Sequence, residues 1–390
     1  MGSYMQMGAN TAGLVSEEGL DGYSGVILSP VNQSQADLRD HVSKFYDKGV
    51  ADIRLDPQLY SPKAAYRHLP THDYFPSDIE SQEISTTSWW KKLGKQVANY
   101  AAMEIGCTSV CSPAILPKKW TDDYYLRCFE GYESLTDSLS TTKLKSILTV
   151  CVGYEQLSTA DDALRIGSLV AQTKAENCYL VIVSDVEPRR EFSSVESLSA
   201  ILALIYLLEK MSCKVTVSHC GSDMMLFKSA QATNCATGKW WNLRRFAKSR
   251  FEESDDEGRQ IAYWFEHKLA ASIRTADILL LQRDSPKSFG SDLSVNSFGN
   301  AILSQFQSEP ANPWIGLGWR QYLRWFYDTE STLNSPESLE IVRGWLKDAE
   351  QEWEHMEDKD VILEESRNDG RWIRAWRKAL SEFTKITKGW

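Results

Sequence analysis

An ordered alternation limits what this chain can become: short β-rich runs recur between longer segments of helical periodicity. Strands are expected at Gly25–Leu28, Ala51–Leu55, Ser109–Ser112, Ile147–Val152, Tyr179–Ser184 and Lys214–Ser218, with a weaker one at Ala232–Cys235 and a last at Ile278–Gln282. Helices are expected between them at Gln35–Lys48, Ser88–Glu104, Asp122–Leu139, Ala160–Ala175, Val195–Met211, Met224–Gln231 and Arg259–Arg274. Ser34 and Ser158-Thr159 stand where a side-chain oxygen would cap a helix start. The strand runs read as apolar stretches rather than strict alternations, as expected when both faces of a parallel sheet are covered. Eight such units predict a (β/α)₈ barrel of the TIM type. An open doubly wound parallel sheet is the alternative, and the lack of a GxGxxG turn after the first run speaks against it.

The pattern divides the chain into a flexible tail at 1–20, a barrel at 21–308 and a helical, Trp-rich region at 309–390. A long Pro-containing insertion at 56–87 is expected to lie over the strand ends as a lid or binding loop. Ser291–Phe306 would serve as the eighth barrel helix. Beyond it, Ser335-Pro336-Glu337 reads as a helix start, and Leu339, Val342, Leu346, Ala349, Trp353 and Met356 form one apolar face. Ile373, Trp376, Leu380 and Phe383 form another on the last helix. These stripes read as core or docking surface.

A net charge of −10 argues against general adhesion to nucleic acid or anionic membrane. The longest nearly uncharged run, Leu198–Leu208, is far shorter than the roughly 20 residues of a spanning helix, so it reads as a buried helix. The first residues lack the basic and apolar regions of a secretory leader. Eight cysteines without a CxxC pair predict free, buried thiols in a reducing, cytoplasmic setting.

In a barrel, catalytic groups project from the carboxyl ends of the strands. Those positions hold Asp56, Glu155, Asp185 with Glu187, and His219 with Asp223. Crowded carboxylates beside an imidazole can split into acid and base, which makes Asp56, Glu155, Asp185 and His219 the catalytic candidates. The same oxygens could equally hold a divalent metal ion. A second concentration of signal is Asn234–Arg250, where a small-residue turn precedes several cations. Gly238, Lys239, Arg244 and Arg245 would bind an anion there, with Trp241 as a stacking face and Glu187 and Asp223 completing the substrate contacts. The alternative is a basic helix facing the acidic run at 252–257.

Several chemistries find no motif. No His-x-His follows the first run, no predicted strand closes on a lysine, the cysteines are dispersed, and the GK pair lacks Walker spacing. The expectation is an enzyme acting on a phosphate-bearing or nucleotide-like substrate, by hydrolysis or glycosyl transfer. The alternative is a non-catalytic barrel that grips nucleic acid through the basic segment and a partner protein through the C-terminal helices.

Overall fold

The computed structural model describes residues 2–62, 67–79, 82–251, 261–308 and 313–390. Eight parallel strands among them close into a barrel: β1 (Gly2–Gln6), β2 (Gly25–Leu28), β3 (Asp52–Leu55), β4 (Ser109–Cys111), β5 (Lys145–Gly153), β6 (Asn177–Val183), β7 (Lys214–Val217) and β8 (Asn234–Thr237). Helices α1 (Gln35–Asp47), α2 (Thr87–Asn99), α3 (Asp122–Leu139), α4 (Ala160–Gln172), α5 (Val195–Lys210) and α6 (Met224–Ser229) follow β2 to β7 in turn. Ser34 and Thr159 cap α1 and α4 in reciprocal boxes with Asp37 and Asp162. The end of α2 runs on through a wider π turn at Tyr100–Ile105.

The first strand is a correction to the sequence reading, which left residues 1–20 as a flexible tail. Gly2–Gln6 is fully buried and pairs with β2 on one side and β8 on the other, Tyr4 opposite Gly25 and Ala236. It lacks an apolar signature because its side chains serve polar partners inside the molecule. The Gly2 amide donates to Asn234 Oδ1 at 3.0 Å, Ser3 Oγ donates to Glu330, and the Gln6 side chain points into the barrel mouth. A Cβ on Gly25 would come within 2.3 Å of the Asp52 carbonyl oxygen and 2.7 Å of the Tyr4 ring, so glycine is needed where these strands meet.

After β8 the chain departs further from expectation. The helix expected at Arg259–Arg274 is, over its described part, a hairpin of β9 (Trp264–Glu266) and β10 (Ala271–Ile273). The buried Glu266 carboxylate organises it by accepting from the Lys268, Gly290 and Ser291 amides. The expected strand Ile278–Gln282 lies inside α7 (Thr275–Asp284). Its burial has helical spacing, with Ile278 and Leu281 inside and Leu279 55% exposed. α8 (Ser297–Ser308) packs on α9 (Ile315–Leu333), and it is α9 that lies against β1 and β8 as the last barrel helix. The 308/309 boundary therefore does not separate barrel from C-terminal region. Glu330 of α9 accepts from Ser3 and, at 3.3 Å, from the Cys235 amide, and it stands 3.5 Å from the buried Lys228 ammonium.

α10 (Ser338–Asp358) and α11 (Arg371–Thr387) complete the chain; Ser335-Pro336-Glu337 forms the turn before α10, which begins at Ser338. α5 is apolar on nearly every side because α4 and α11 cover the faces that the barrel leaves. Trp325, Trp372 and Trp376 are buried and Trp353 packs against the core, so the stripes read as core or docking surface are largely spent on internal packing. Among the described residues no helix is long and apolar enough to cross a membrane, and all eight cysteines are free and buried.

Candidate functional site

Inward-facing side chains fill the barrel, including Ile27, Ile147, Cys151, Tyr179 and Val181. At its amino end Arg54 closes the bottom, bonding to Asp52 at 2.9 Å, Thr216 at 2.8 Å and the Tyr4 hydroxyl at 2.6 Å. The carboxyl end holds the ionisable groups.

Asp56 follows β3 and is 1% exposed. Its carboxylate accepts from the Tyr60 hydroxyl at 3.0 and 3.1 Å, the Gln58 amide at 3.0 Å and, more weakly, the Tyr179 hydroxyl at 3.4 Å. Burial pushes its pKa up to about 6, against these donors and the nearby Arg250 charge. Burial and the Asp56 charge hold both tyrosines protonated far above their usual range.

His219 follows β7 one residue after Ser218 and adopts a left-handed backbone, φ 53°. Its amide donates to Gln6 Oε1 at 2.8 Å, and Gln6 Nε2 donates to the Tyr179 hydroxyl at 3.0 Å. Asp56, Tyr179, Gln6 and His219 thus form one chain across the mouth. Arg250 lies over it, donating to Ser29 Oγ at 2.8 Å and the Met7 carbonyl at 3.3 Å, with Nη1 3.4 Å from His219 Nε2. Guanidinium can only donate, so Nε2 is the accepting nitrogen and the ring proton belongs on Nδ1, 3.1 Å from Ser218 Oγ. Burial, then the Arg250 charge, keeps this imidazole neutral, and burial brings Arg250 down to about 10, still a cation at neutral pH. The arrangement offers a carboxyl that titrates near neutrality, a neutral imidazole and a fixed positive charge.

The mouth is covered. Phe246 meets Tyr60 and His219 edge-on at 5.1 and 5.3 Å between ring centres, and Phe251 meets Tyr60 at 5.5 Å. Both belong to the segment after β8.

The other rim residues stand apart from this centre. Asp185 is 85% exposed and pairs with Lys248 at 3.3 Å; its amide lies 3.4 Å from Glu155 Oε1. Glu187 binds Arg367 at 2.9 and 3.0 Å, tying the rim to the loop before α11. Asp223 accepts from the Gly221 amide at 2.8 Å and lies 3.5 Å from Arg245, which is also 3.2 Å from Glu191; burial pushes the Asp223 carboxyl up to about 7.

The expected anion cradle is turned inward. Lys239 donates to the Asn10 carbonyl at 3.2 Å and sits over the rings of Trp319 and Trp240 at 4.2 and 4.5 Å. Arg244 donates to the carbonyls of Gly238 and Lys239 at 3.2 and 3.0 Å and stacks on Tyr322 at 3.5 Å. Arg245 stacks on Phe192 at 3.6 Å, and Trp241 meets Tyr263 edge-on. Cations near a barrel wall are drawn to carbonyls and aromatic faces, which a linear reading cannot distinguish from an external ligand. The acidic run at 252–257 lies outside the described residues. Among the described residues no three His, Cys, Asp or Glu side chains gather closely enough to hold a metal ion.

Sequence reasoning missed Gln6, Ser29, Tyr60, Tyr179 and Arg250. Tyr60, four residues after Asp56, and Arg250, in the noted basic segment, carried a signal; Gln6 carried none, because its strand was unrecognised.

Strand closure and the buried ionisable chain at the carboxyl ends define a (β/α)₈ barrel protein. Solved structures similar to it include a protein of Burkholderia cenocepacia J2315 provisionally named a lyase/mutase, with 12% identity over 60% of this chain and 75% of that one and a TM-score of 0.36. Another is an intracellular xylanase from Thermoanaerobacterium saccharolyticum, with 9% identity over 67% of this chain and 91% of that one and a TM-score of 0.36. Likeness this slight carries no argument about chemistry, and the fold assignment rests on the strand pairing itself. No protein-family model and no curated protein matches the chain.

Proposed function

We propose that the chain is an enzyme with its acid–base centre at Asp56, acting on a phosphate-bearing or nucleotide-like substrate by hydrolysis or glycosyl transfer. The observation that carries this reading is a buried carboxyl with a pKa of about 6, linked through Tyr179 and Gln6 to a neutral His219 beneath the Arg250 cation. Groups tuned in this way at the carboxyl ends of barrel strands suit proton transfer near neutral pH. In its ionised form Asp56 takes a proton, and Arg250 stabilises negative charge developing beside it.

Turnover of a panel of nucleotides and sugar phosphates, followed by mass spectrometry of products, tests this. Asp56→Asn should lower kcat by at least about a hundredfold, and His219→Ala by a similar factor. The wild-type rate should rise with pH through about 6 as Asp56 ionises. Undiminished turnover in Asp56→Asn would remove the centre. The nucleic-acid alternative lacks comparable support, because Lys239, Arg244 and Arg245 are engaged by internal partners.

A further inference from the structure

Beside the mouth, between the loops that follow β3 and β4, lies an open cleft of about 610 Å³. Its wall is apolar, built from Ile79, Ile84, Trp90, Ile115 and Leu116, and Tyr60 forms its inner end. Lys118, Lys119, Arg127 and Lys248 stand around it, and no carboxylate lines it among the described residues. In a chain of net charge −10 this is a local reversal of sign. Lys118 and Lys119 are exposed and have no ion pair among the described residues, unlike Lys239, Arg244 and Arg245, which are turned inward.

We infer that this cleft binds the body of a phosphate monoester: a flat apolar group lies against Ile115, Leu116 and Trp90, and the phosphate dianion is held by Lys118 and Lys119. Three features support that occupant. The volume suits a small molecule rather than a macromolecular segment. Two consecutive exposed lysines that line the same cleft supply two compact positive charges for a doubly charged head. The inner wall is continuous with the acid–base centre, because the hydroxyl of Tyr60 donates to Asp56 at 3.0 Å. The inference thus rests on the proposed enzymatic reading and supplies its missing anion site.

The test is calorimetric titration of the full chain with 1-naphthyl phosphate, compared with 1-naphthol, 1-naphthoate and inorganic phosphate. The monoester should bind about tenfold or more tighter than each of the three comparison compounds, since each lacks either the apolar body or the doubly charged head. The double substitution Lys118→Ala and Lys119→Ala, on exposed side chains that leave the fold intact, should weaken the monoester about tenfold and leave naphthol unchanged. Naphthol or naphthoate binding as tightly as the monoester, or a double variant that binds it unaltered, would overturn the inference. Asp56→Asn should bind the monoester as wild type does. Binding with no Asp56-dependent turnover therefore condemns the catalytic reading alone, and turnover without lysine-dependent binding condemns the cleft alone.

Discussion

The buried Asp56 and the half-buried His267 are ionisable groups whose shifts run in opposite directions, and each gives stability its own pH dependence. Asp56 titrates at about 6 in the fold, above the ordinary carboxyl value of 3.8, because burial disfavours its charge. Its contribution is complete below the unfolded pKa and is lost as pH rises through about 6. Urea unfolding should show Asp56→Asn gaining on wild type between pH 4 and 7, by up to about 3 kcal/mol. His267 is the reverse: burial lowers it from 6.5 to about 4, and its Nδ1 must stay unprotonated to accept from Trp325 Nε1 at 3.2 Å. Its contribution is present above 6.5 and lost as pH falls through about 4. His267→Gln should therefore lose less stability than wild type on acidification from pH 7 to 4, by up to about 3 kcal/mol. A variant and wild type with parallel curves would show that the ring is not held neutral.

At the scale of elements, α2 and α3 owe their close crossing to paired glycines. A Cβ on Gly94 would come within 2.1 Å of the Gly131 carbonyl oxygen, and that atom is helix backbone, which cannot step aside. Alanine is worth about 1 kcal/mol more than glycine to an exposed helix interior, so propensity alone predicts a stabilised Gly94→Ala. The crossing predicts the opposite, a net loss of about 1 to 3 kcal/mol, read as a lowered Tm. The same competition between local preference and tertiary partners explains the misread elements. Ile278–Gln282 is an apolar run of strand length, but Asp277 accepts from the Arg274 amide at 3.0 Å and the run winds as helix. α3 and α5, whose helical patterns were long, lie where the sequence put them.

For the whole molecule, closure depends on β1, which bridges the second and the last strands of the barrel. Deleting residues 2–6 would leave β2 and β8 with unpaired edges and remove the Ser3 partner of Glu330. The truncated chain should lose its single cooperative thermal transition and aggregate, measured by calorimetry and light scattering; a sharp transition near the wild-type Tm would show that β1 is dispensable. By itself the sequence determined the barrel class, most strand and helix positions, and Asp56 and His219 as strand-end residues, because apolar periodicity and caps are local properties of the chain. Only the tertiary structure decided that Gly2–Gln6 is the strand that closes the barrel, that Lys239, Arg244 and Arg245 turn inward, and that Tyr60, Tyr179, Gln6 and Arg250 surround Asp56 and His219. Those outcomes depend on partners as far apart as Gln6 and Arg250. A polar side chain becomes structural or functional according to what packs around it, which the order of residues does not state.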